Sequence, residues 1–141
     1  MRHLTAVAAA LLGLVVAAAA DAAATHKLEC PAAAPADWNL PGAPLSGVEV
    51  LSAPIGETID EKSPPSLVPD ENTLRAGTLR QSWRMDGDGS GWVRFVDCRY
   101  RGSLRVLRLE ASHLASCERV VTHFSETSGA GKLSKETMIC D

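Results

Sequence analysis

The chain has 141 residues, and its 14 Lys and Arg residues against 17 Asp and Glu residues give a formal net charge of −3 at pH 7. This acidic balance argues against a nucleic-acid-binding protein, which needs a basic surface to meet phosphate groups. The length suits one domain. The chain contains no Gly-x-Ser-x-Gly nucleophile motif, so we expect no catalytic residues and a protein that is not an enzyme.

The first residues have the three parts of an export signal. A basic start at Arg2 is followed by an apolar run over residues 4–20 and then by small residues. Cleavage after Ala24 is preferred over an alternative site four residues earlier. We therefore predict a signal peptide at 1–24 and a single soluble, periplasmic or secreted domain at 25–141. A retained membrane anchor is the alternative, but the apolar run is near the lower length limit for a spanning helix.

The exported domain begins with a proline-rich acidic arm at residues 31–71. All eight prolines lie between Pro31 and Pro69, and residues 31–71 contain seven acidic residues. Proline fixes its own φ, removes a hydrogen-bond donor and disfavours helix in the preceding residue. We therefore predict mostly irregular structure, interrupted by one strand at Gly47–Leu51, where apolar and polar residues alternate.

Residues 72–141 are predicted to form a sheet. Arginines are interleaved here with Leu, Val, Trp, Phe and Tyr, in runs separated by clusters of Gly, Asp and Ser. The predicted strands are 78–85, 92–100, 104–110, 117–124 and 132–139. Residues 111–115 are expected to form a helical turn or a simple loop. The expected fold class is mainly β, an antiparallel sheet in meander order that could also be a small barrel or a sandwich.

The four cysteines of an exported chain are expected to form two disulfides, for which three pairings exist. If the last hairpin turns at residues 128–129, Cys117 and Cys140 face each other. In meander order a third strand would hold Cys98 about 10 Å from Cys117, beyond disulfide reach. We therefore favour Cys117–Cys140 and Cys30–Cys98, and the second bridge would fasten the arm to the sheet.

Several short motifs together resemble a family of small uncharacterised exported bacterial proteins, with a Cys-Pro start, a Cys-x-Tyr strand and four cysteines. The motifs that carry the resemblance are Leu28 to Pro31, Trp38, Leu45 to Val48, Leu67 to Asp70, Ser82-Trp83, Trp92 and Cys98 to Tyr100. The resemblance covers most of the exported domain and implies a periplasmic location. The chain is also similar to periplasmic lysozyme inhibitors in its size, its export and its disulfide-linked β architecture. Residues 128–131 resemble the serine-glycine loop of those inhibitors.

Residues 86–97 carry the sharpest candidate for a metal site. Loop positions one, three, five and twelve are Asp86, Asp88, Ser90 and Asp97. This spacing is close to that of an EF-hand calcium loop, so calcium is the one cofactor that the sequence suggests. An EF-hand also needs flanking helices and usually has a longer glutamate at position twelve. A glycine-rich hairpin turn is therefore the favoured interpretation, and such a turn can also bind calcium weakly.

A second candidate site is a basic sheet face beside Trp92. Strand alternation would place several arginines partly on one face, namely Arg94, Arg99, Arg101, Arg105 and Arg108. Such a face could receive an acidic periplasmic protein or a carboxylate of a cell-wall component. The alternative, which we favour, is that acidic residues of the arm between Glu49 and Glu71 cover the face and pair with it.

Two functional hypotheses follow from the sequence. The leading one is a non-enzymatic binding or inhibitory module of the periplasm, whose partner is a periplasmic protein or a cell-wall component. The other is a calcium-stabilised structural or accessory protein that uses the loop at residues 86–97. We expect neither a nucleic-acid partner nor a lasting membrane anchor, and an enzyme is the least favoured class.

Overall fold

The computed structural model describes residues 27–60, 64–86, 91–123 and 135–141, and the predicted signal peptide lies outside them. The described residues form eight β-strands and one short 3-10 helix, at Ala36–Trp38. In chain order the strands are β1 (Leu28–Glu29), β2 (Leu45–Pro54), β3 (Glu71–Arg75), β4 (Thr78–Arg84), β5 (Trp92–Tyr100), β6 (Val106–Glu110), β7 (Ser116–Thr122) and β8 (Lys135–Cys140). The predicted mainly β, antiparallel class is confirmed.

The strands are divided between two antiparallel sheets. A five-stranded sheet has the order β1-β8-β7-β4-β3, and a three-stranded sheet has the order β2-β5-β6. The chain therefore changes sheet four times, before and after β2, between β4 and β5 and between β6 and β7, so consecutive strands do not form one meander. Alternation of residues assigns the two faces of a strand but not its neighbours, which is why sequence alone did not give this order.

The link between β6 and β7 shows how the chain changes sheet. Ala111 and Leu114 are both buried in the core that the two sheets share. The backbone N–H of Leu114 donates a hydrogen bond to the carbonyl of Ala111 (3.1 Å), which closes a short turn. Residues 111–115 thus form a turn whose apolar side chains fill the space between the sheets.

β2 and β5 pair along their length and fix which side chains face the core. Val50 on β2 and Val96 and Cys98 on β5 belong to the buried core cluster. Because strand residues alternate between faces, the even-numbered residues of β5 point toward the other sheet and the odd-numbered residues point away from it. This parity decides where each candidate site residue on β5 lies.

The core joins the two sheets through large apolar side chains. Trp83 of β4 and Met138 of β8 pack in the same buried cluster as Tyr100 of β5. Burying a side chain of this size stabilises the fold by roughly 2 kcal/mol. The indole N–H of Trp83 also donates to the backbone carbonyl of Leu67 (3.1 Å), so the core strand β4 holds the far end of the arm.

Both predicted disulfides are present. Cys30 is bonded to Cys98, and Cys117 is bonded to Cys140. Cys117 and Cys140 are directly opposed in the β7–β8 ladder, which confirms the register expected for the last hairpin. The reason given for excluding Cys98–Cys117 was wrong, because no strand separates these residues within one sheet. They belong to different sheets, Cys98 to β5 and Cys117 to β7.

All four cysteines are paired, and none is free. Disulfides form and persist in oxidising compartments and are rare in the reducing cytosol. The bridges therefore indicate an oxidising, extracytoplasmic environment. Within the described ranges, no helix is long and apolar enough to cross a membrane.

The proline-rich arm is fixed to the sheets at both of its ends. Near its start, the hydroxyl of Tyr100 donates to the carbonyl of Pro31 (2.9 Å). Near its end, the backbone N–H of Leu67 donates to the carbonyl of Val50 (2.7 Å), so this part of the arm lies along the open edge of β2. The described parts of the arm are thus fixed to the sheets, and its strand β2, longer than the predicted Gly47–Leu51, belongs to the three-stranded sheet.

Because of Tyr100, the stability of the fold changes with pH in the alkaline range. Burial raises the pKa of this phenol above its ordinary value of 10.0. The unfolded chain therefore loses the proton first, and the contribution of Tyr100 is complete below pH 10.0 and declines as the pH rises toward the folded pKa. We expect Tyr100→Phe to remove this decline and to lower stability at neutral pH by about 1 kcal/mol, since the hydrogen bond to Pro31 is lost.

Urea unfolding of the wild-type protein and of Tyr100→Phe, measured at a series of alkaline pH values, checks this expectation. Tyr100 is the single tyrosine of the chain, so tyrosinate absorbance also reports its ionisation directly. The expectation is contradicted if Tyr100 ionises in the folded protein at the same pH as in the unfolded chain. It is also contradicted if the alkaline loss of stability seen in the wild type persists unchanged in Tyr100→Phe.

Candidate functional site

Two adjoining cavities open at one end of the sandwich, where β4 ends and β5 begins. The first, here called the charged cleft, has a volume of about 380 Å³ and is lined by Leu67, Val68, Asp70, Trp83, Arg84, Asp86 and Arg94. The second, here called the neutral groove, has a volume of about 550 Å³ and is lined by Ser52, Pro65, Ser66, Leu67 and Trp92. Leu67 lines both cavities, so the two spaces border the same residue.

The β2–β5 ladder positions the central side chains of both cavities. Ser52 and Arg94 are directly opposed in this ladder. Trp92 lies two residues before Arg94 on β5, so both side chains project from the same, inward face. Beyond the core residue Val96 this face is no longer filled by the other sheet, and polar groups replace apolar ones. The cavities are thus the open end of the core.

Arg94 is the buried charged group of the charged cleft. The residue is only 5% exposed. Its guanidinium Nη1 donates to the backbone carbonyl of Arg84 (3.0 Å), and its backbone N–H donates to the hydroxyl of Ser112 (2.9 Å). Arg94 therefore connects the end of β4 in one sheet with β5 and the β6–β7 link. A planar guanidinium in this setting is a fixed group of hydrogen-bond donors.

Acidic side chains balance the arginines around the charged cleft. Asp70 accepts a hydrogen bond from the backbone N–H of Arg84 (2.6 Å), and its carboxylate lies 4.0 Å from the Nε of the same residue. Asp86 follows β4 and is exposed at the cleft. Two carboxylates and two guanidinium groups thus border one small space. Such a set can bind a ligand that carries both a carboxylate and an ammonium group.

The neutral groove has a different chemistry. The described residues of its lining are two serines, one proline, one leucine and one tryptophan, none of which is ionisable. Trp92 is 48% exposed. The hydroxyl oxygen of Ser52 is buried and has no hydrogen-bond partner among the described residues, which is costly for a polar group inside a protein.

Exposed apolar side chains are concentrated near these cavities. The described residues include five large hydrophobic side chains that are exposed, which are Ile55, Val68, Leu74, Trp92 and Leu104. Val68 lines the charged cleft and Trp92 lines the neutral groove. The backbone N–H of Ile55 donates to the carbonyl of Gly91 (2.9 Å), directly before Trp92, so Ile55 lies at the same end. Apolar clustering of this kind marks interaction sites.

The predicted basic face is not formed as one surface. Arg94 is five residues from Arg99 on β5, and an odd separation places their side chains on opposite faces. Arg99 pairs with Glu49 of the arm (2.8 Å), and Arg105 pairs with Asp37 (3.7 Å) and lies over the Trp38 ring. These contacts favour the interpretation in which acidic residues of the arm neutralise the arginines.

The remaining arginines of the predicted face also have separate positions. Arg101 lies in the turn after β5, where its backbone N–H donates to the carbonyl of Pro44 (3.1 Å). Arg108 of β6 forms an ion pair with Asp97. Of the predicted ligand-binding residues, only Arg94 and Trp92 are brought together at the two cavities.

One predicted ligand of the calcium loop, Asp97, forms this ion pair with Arg108 instead. Asp97 lies inside β5 with a fully buried carboxylate, and its two oxygens accept hydrogen bonds from Arg108 at 2.8 and 2.7 Å. Asp86 is exposed after β4, whereas Asp88 and Ser90 lie outside the described residues. In the part of the chain that is described, no three His, Cys, Asp or Glu side chains are grouped to hold a metal ion. Calcium binding by the loop remains a prediction without Asp97 as ligand.

Sequence reasoning missed Ser52 and Leu67 as site residues. Ser52 continues the inward positions of Val48 and Val50, and a hydroxyl in that series is the one sign that the strand leaves the core there. Leu67 follows two prolines, and nothing in the sequence shows that this segment lies along the open edge of β2. No family model, curated protein or solved structure matches the chain.

Proposed function

We propose that this protein is a non-enzymatic binding module of the bacterial periplasm, and that it holds a cell-wall component in the charged cleft. The observation that carries the proposal is the position of Arg94, which is nearly buried and yet lines a cleft that Asp70 and Asp86 also border. Guanidinium and carboxylate groups fixed in one cavity are suited to recognising charged groups of complementary sign and fixed spacing.

The periplasmic location is supported by the leader and by the disulfides. Residues 1–24 have the composition of a cleavable signal peptide, and the two bridges are typical of an oxidising compartment. The resemblance to small exported bacterial proteins agrees with this location. A domain fastened by two bridges is also a rigid support for a binding site, so little order has to be gained when a ligand arrives.

A small ligand or a chain end fits the charged cleft better than a folded protein surface does. Cavities of roughly 300–1,000 Å³ are typical of small-molecule sites, and the cleft has about 380 Å³. Cell-wall fragments offer peptide ends with carboxylate and ammonium groups, which match the Asp and Arg side chains of the cleft. We therefore place the cell-wall component ahead of a periplasmic protein as the partner.

The test is calorimetric titration of the protein, purified from the periplasm, with soluble cell-wall fragments. We expect Arg94→Lys and Asp86→Asn each to weaken binding about tenfold, which corresponds to the loss of one charge-assisted hydrogen bond. Lysine keeps the charge of Arg94 but not its two-pronged geometry, and Asp86 is exposed, so neither change should prevent folding. Glu29→Gln, an exposed change on β1 that lines neither cavity, is the matched control.

Two results would contradict the proposal. If the wild-type protein binds no cell-wall fragments, the proposed function is wrong. If the cleft variants bind the fragments as tightly as the wild type does, the ligand binds elsewhere on the protein. The inhibitory form of the hypothesis, which follows from the similarity to periplasmic lysozyme inhibitors, depends on the loop at residues 128–131, which lies outside the described residues. It predicts slower muramidase hydrolysis of cell walls in the presence of the protein.

A further inference from the structure

We propose that the neutral groove binds a sugar ring of the cell-wall glycan, with the Trp92 indole against the ring and the Ser52 hydroxyl bonded to one of its hydroxyl groups. This inference rests on the proposed function, because it names the part of the cell-wall component that lies beside the charged cleft. It adds a second subsite and a specific chemistry to the same end of the sandwich.

Trp92 is an exposed aromatic residue in the lining of the neutral groove. Its side chain projects from the inward face of β5 and is nevertheless 48% exposed, because the core ends before it. An indole presents a flat apolar surface, which can stack against the C–H face of a sugar ring. Leu67 and Pro65 supply the apolar walls beside it. The groove thus offers a platform with the shape and polarity that a ring requires.

The second feature of this groove is the side-chain hydroxyl of Ser52. Its oxygen is buried and makes no hydrogen bond to a described residue, although a hydroxyl can both donate and accept. Rotation about one bond moves a serine hydroxyl among its staggered positions at low cost. A ligand hydroxyl that enters the groove would give Ser52 the partner that the described residues do not provide. Sugars carry such hydroxyl groups around the whole ring.

Among the described residues, the lining of the neutral groove carries no charged side chain, whereas the neighbouring cleft is rich in charge. An ionic group would be poorly solvated among Ser52, Pro65, Ser66, Leu67 and Trp92, so a neutral group is favoured there. Both cavities border Leu67, so a ligand that extends past this residue would occupy both. A neutral sugar that carries a short charged peptide matches this division, and cell-wall glycan has that composition.

The experiment measures binding of a neutral N-acetylglucosamine oligosaccharide to the protein purified from the periplasm, by calorimetry and by tryptophan fluorescence. We expect Trp92→Ala to weaken this binding at least about tenfold and Ser52→Ala to weaken it about fivefold. Leu74→Ala is the control for Trp92→Ala, because Leu74 is comparably exposed and lines neither cavity.

Ser52→Ala separates a ligand-binding role from a structural one. Because the hydroxyl has no partner in the part of the protein that the structure describes, its removal should leave the unfolding midpoint unchanged or raise it. Weaker saccharide binding together with undiminished stability supports the inference. Binding that is unchanged in Ser52→Ala and in Trp92→Ala overturns it, as does preferential binding of a proline-rich peptide over the saccharide.

Failure of this inference can be distinguished from failure of the proposed function. If cell-wall fragments bind and depend on Arg94 and Asp86, while the neutral oligosaccharide does not bind, the sugar subsite is wrong and the charged cleft stands. If neither probe binds, both proposals are wrong. If the oligosaccharide binds and only the groove variants weaken it, the sugar subsite stands without the charged cleft.

Discussion

Replacing Cys30 and Cys98 together by alanine is expected to lower the free energy of unfolding by about 4 kcal/mol. The bridge closes a loop with a sequence separation of 68 residues, so its loss restores much conformational freedom to the unfolded chain. Both residues are buried in the core cluster, and alanine leaves no unpaired polar group there. The measurement is equilibrium urea unfolding under oxidising conditions, followed by tryptophan fluorescence.

The second disulfide is the matched control for this prediction. Cys117 and Cys140 are separated by 23 residues, so the same chain-entropy argument gives a smaller loss, about 3 kcal/mol, for the paired alanine variant. The variant without the Cys30–Cys98 bridge should therefore be the less stable of the two. A larger loss from the Cys117 and Cys140 variant would show that strain or native packing, and not loop length, sets the contribution of each bridge.

Asp97→Asn is expected to destabilise the protein by about 3 kcal/mol, because it removes the charge of Asp97 from a buried ion pair with Arg108. The carboxylate is fully buried, while the Arg108 side chain is 26% exposed, which places the effect at the lower end of the range for such pairs. Asp37→Asn is the control. Its ion pair with Arg105 is largely exposed, and its loss should cost less than about 0.5 kcal/mol.

The same variant decides between the ion pair and the calcium loop. If Asp97 acts through Arg108, the loss of stability is equal in excess calcium and in a chelator. A loss that appears only in calcium would show that Asp97 is a calcium ligand and that its contact with Arg108 is secondary. Thermal unfolding of Asp86→Ala in both conditions then tests the part of the loop that does not depend on Asp97.

The disulfides and most strands could be predicted because each depends on local pattern. Alternation located β4, β5 and β7 to within two residues, and the register of one hairpin gave the pair Cys117–Cys140. β3 was not predicted. All of its residues are exposed at a sheet edge, so no apolar alternation marks it. Its turn to β4 is Ala76-Gly77, both with positive φ, and alanine rarely adopts that conformation, so the turn carried no signal.

The candidate site could be predicted only in part, because it depends on contacts between distant segments. Trp92 and Arg94 were identified from their residue types, and their two-residue spacing already places them on one face. The error was to add Arg99 to that face, although an odd separation on a strand excludes it. The contribution of Leu67 depends on a backbone contact between the arm and Val50, which no local pattern encodes.

The order in which the cysteines are paired bears on how the protein matures. Cys30 is bonded to Cys98 and Cys117 to Cys140, so each bond joins cysteines that are consecutive along this chain. If the chain is exported with its amino terminus first, a thiol oxidase that joins each new cysteine to the one exposed before it would produce both native bonds directly. Maturation should therefore need an oxidase but no disulfide isomerase.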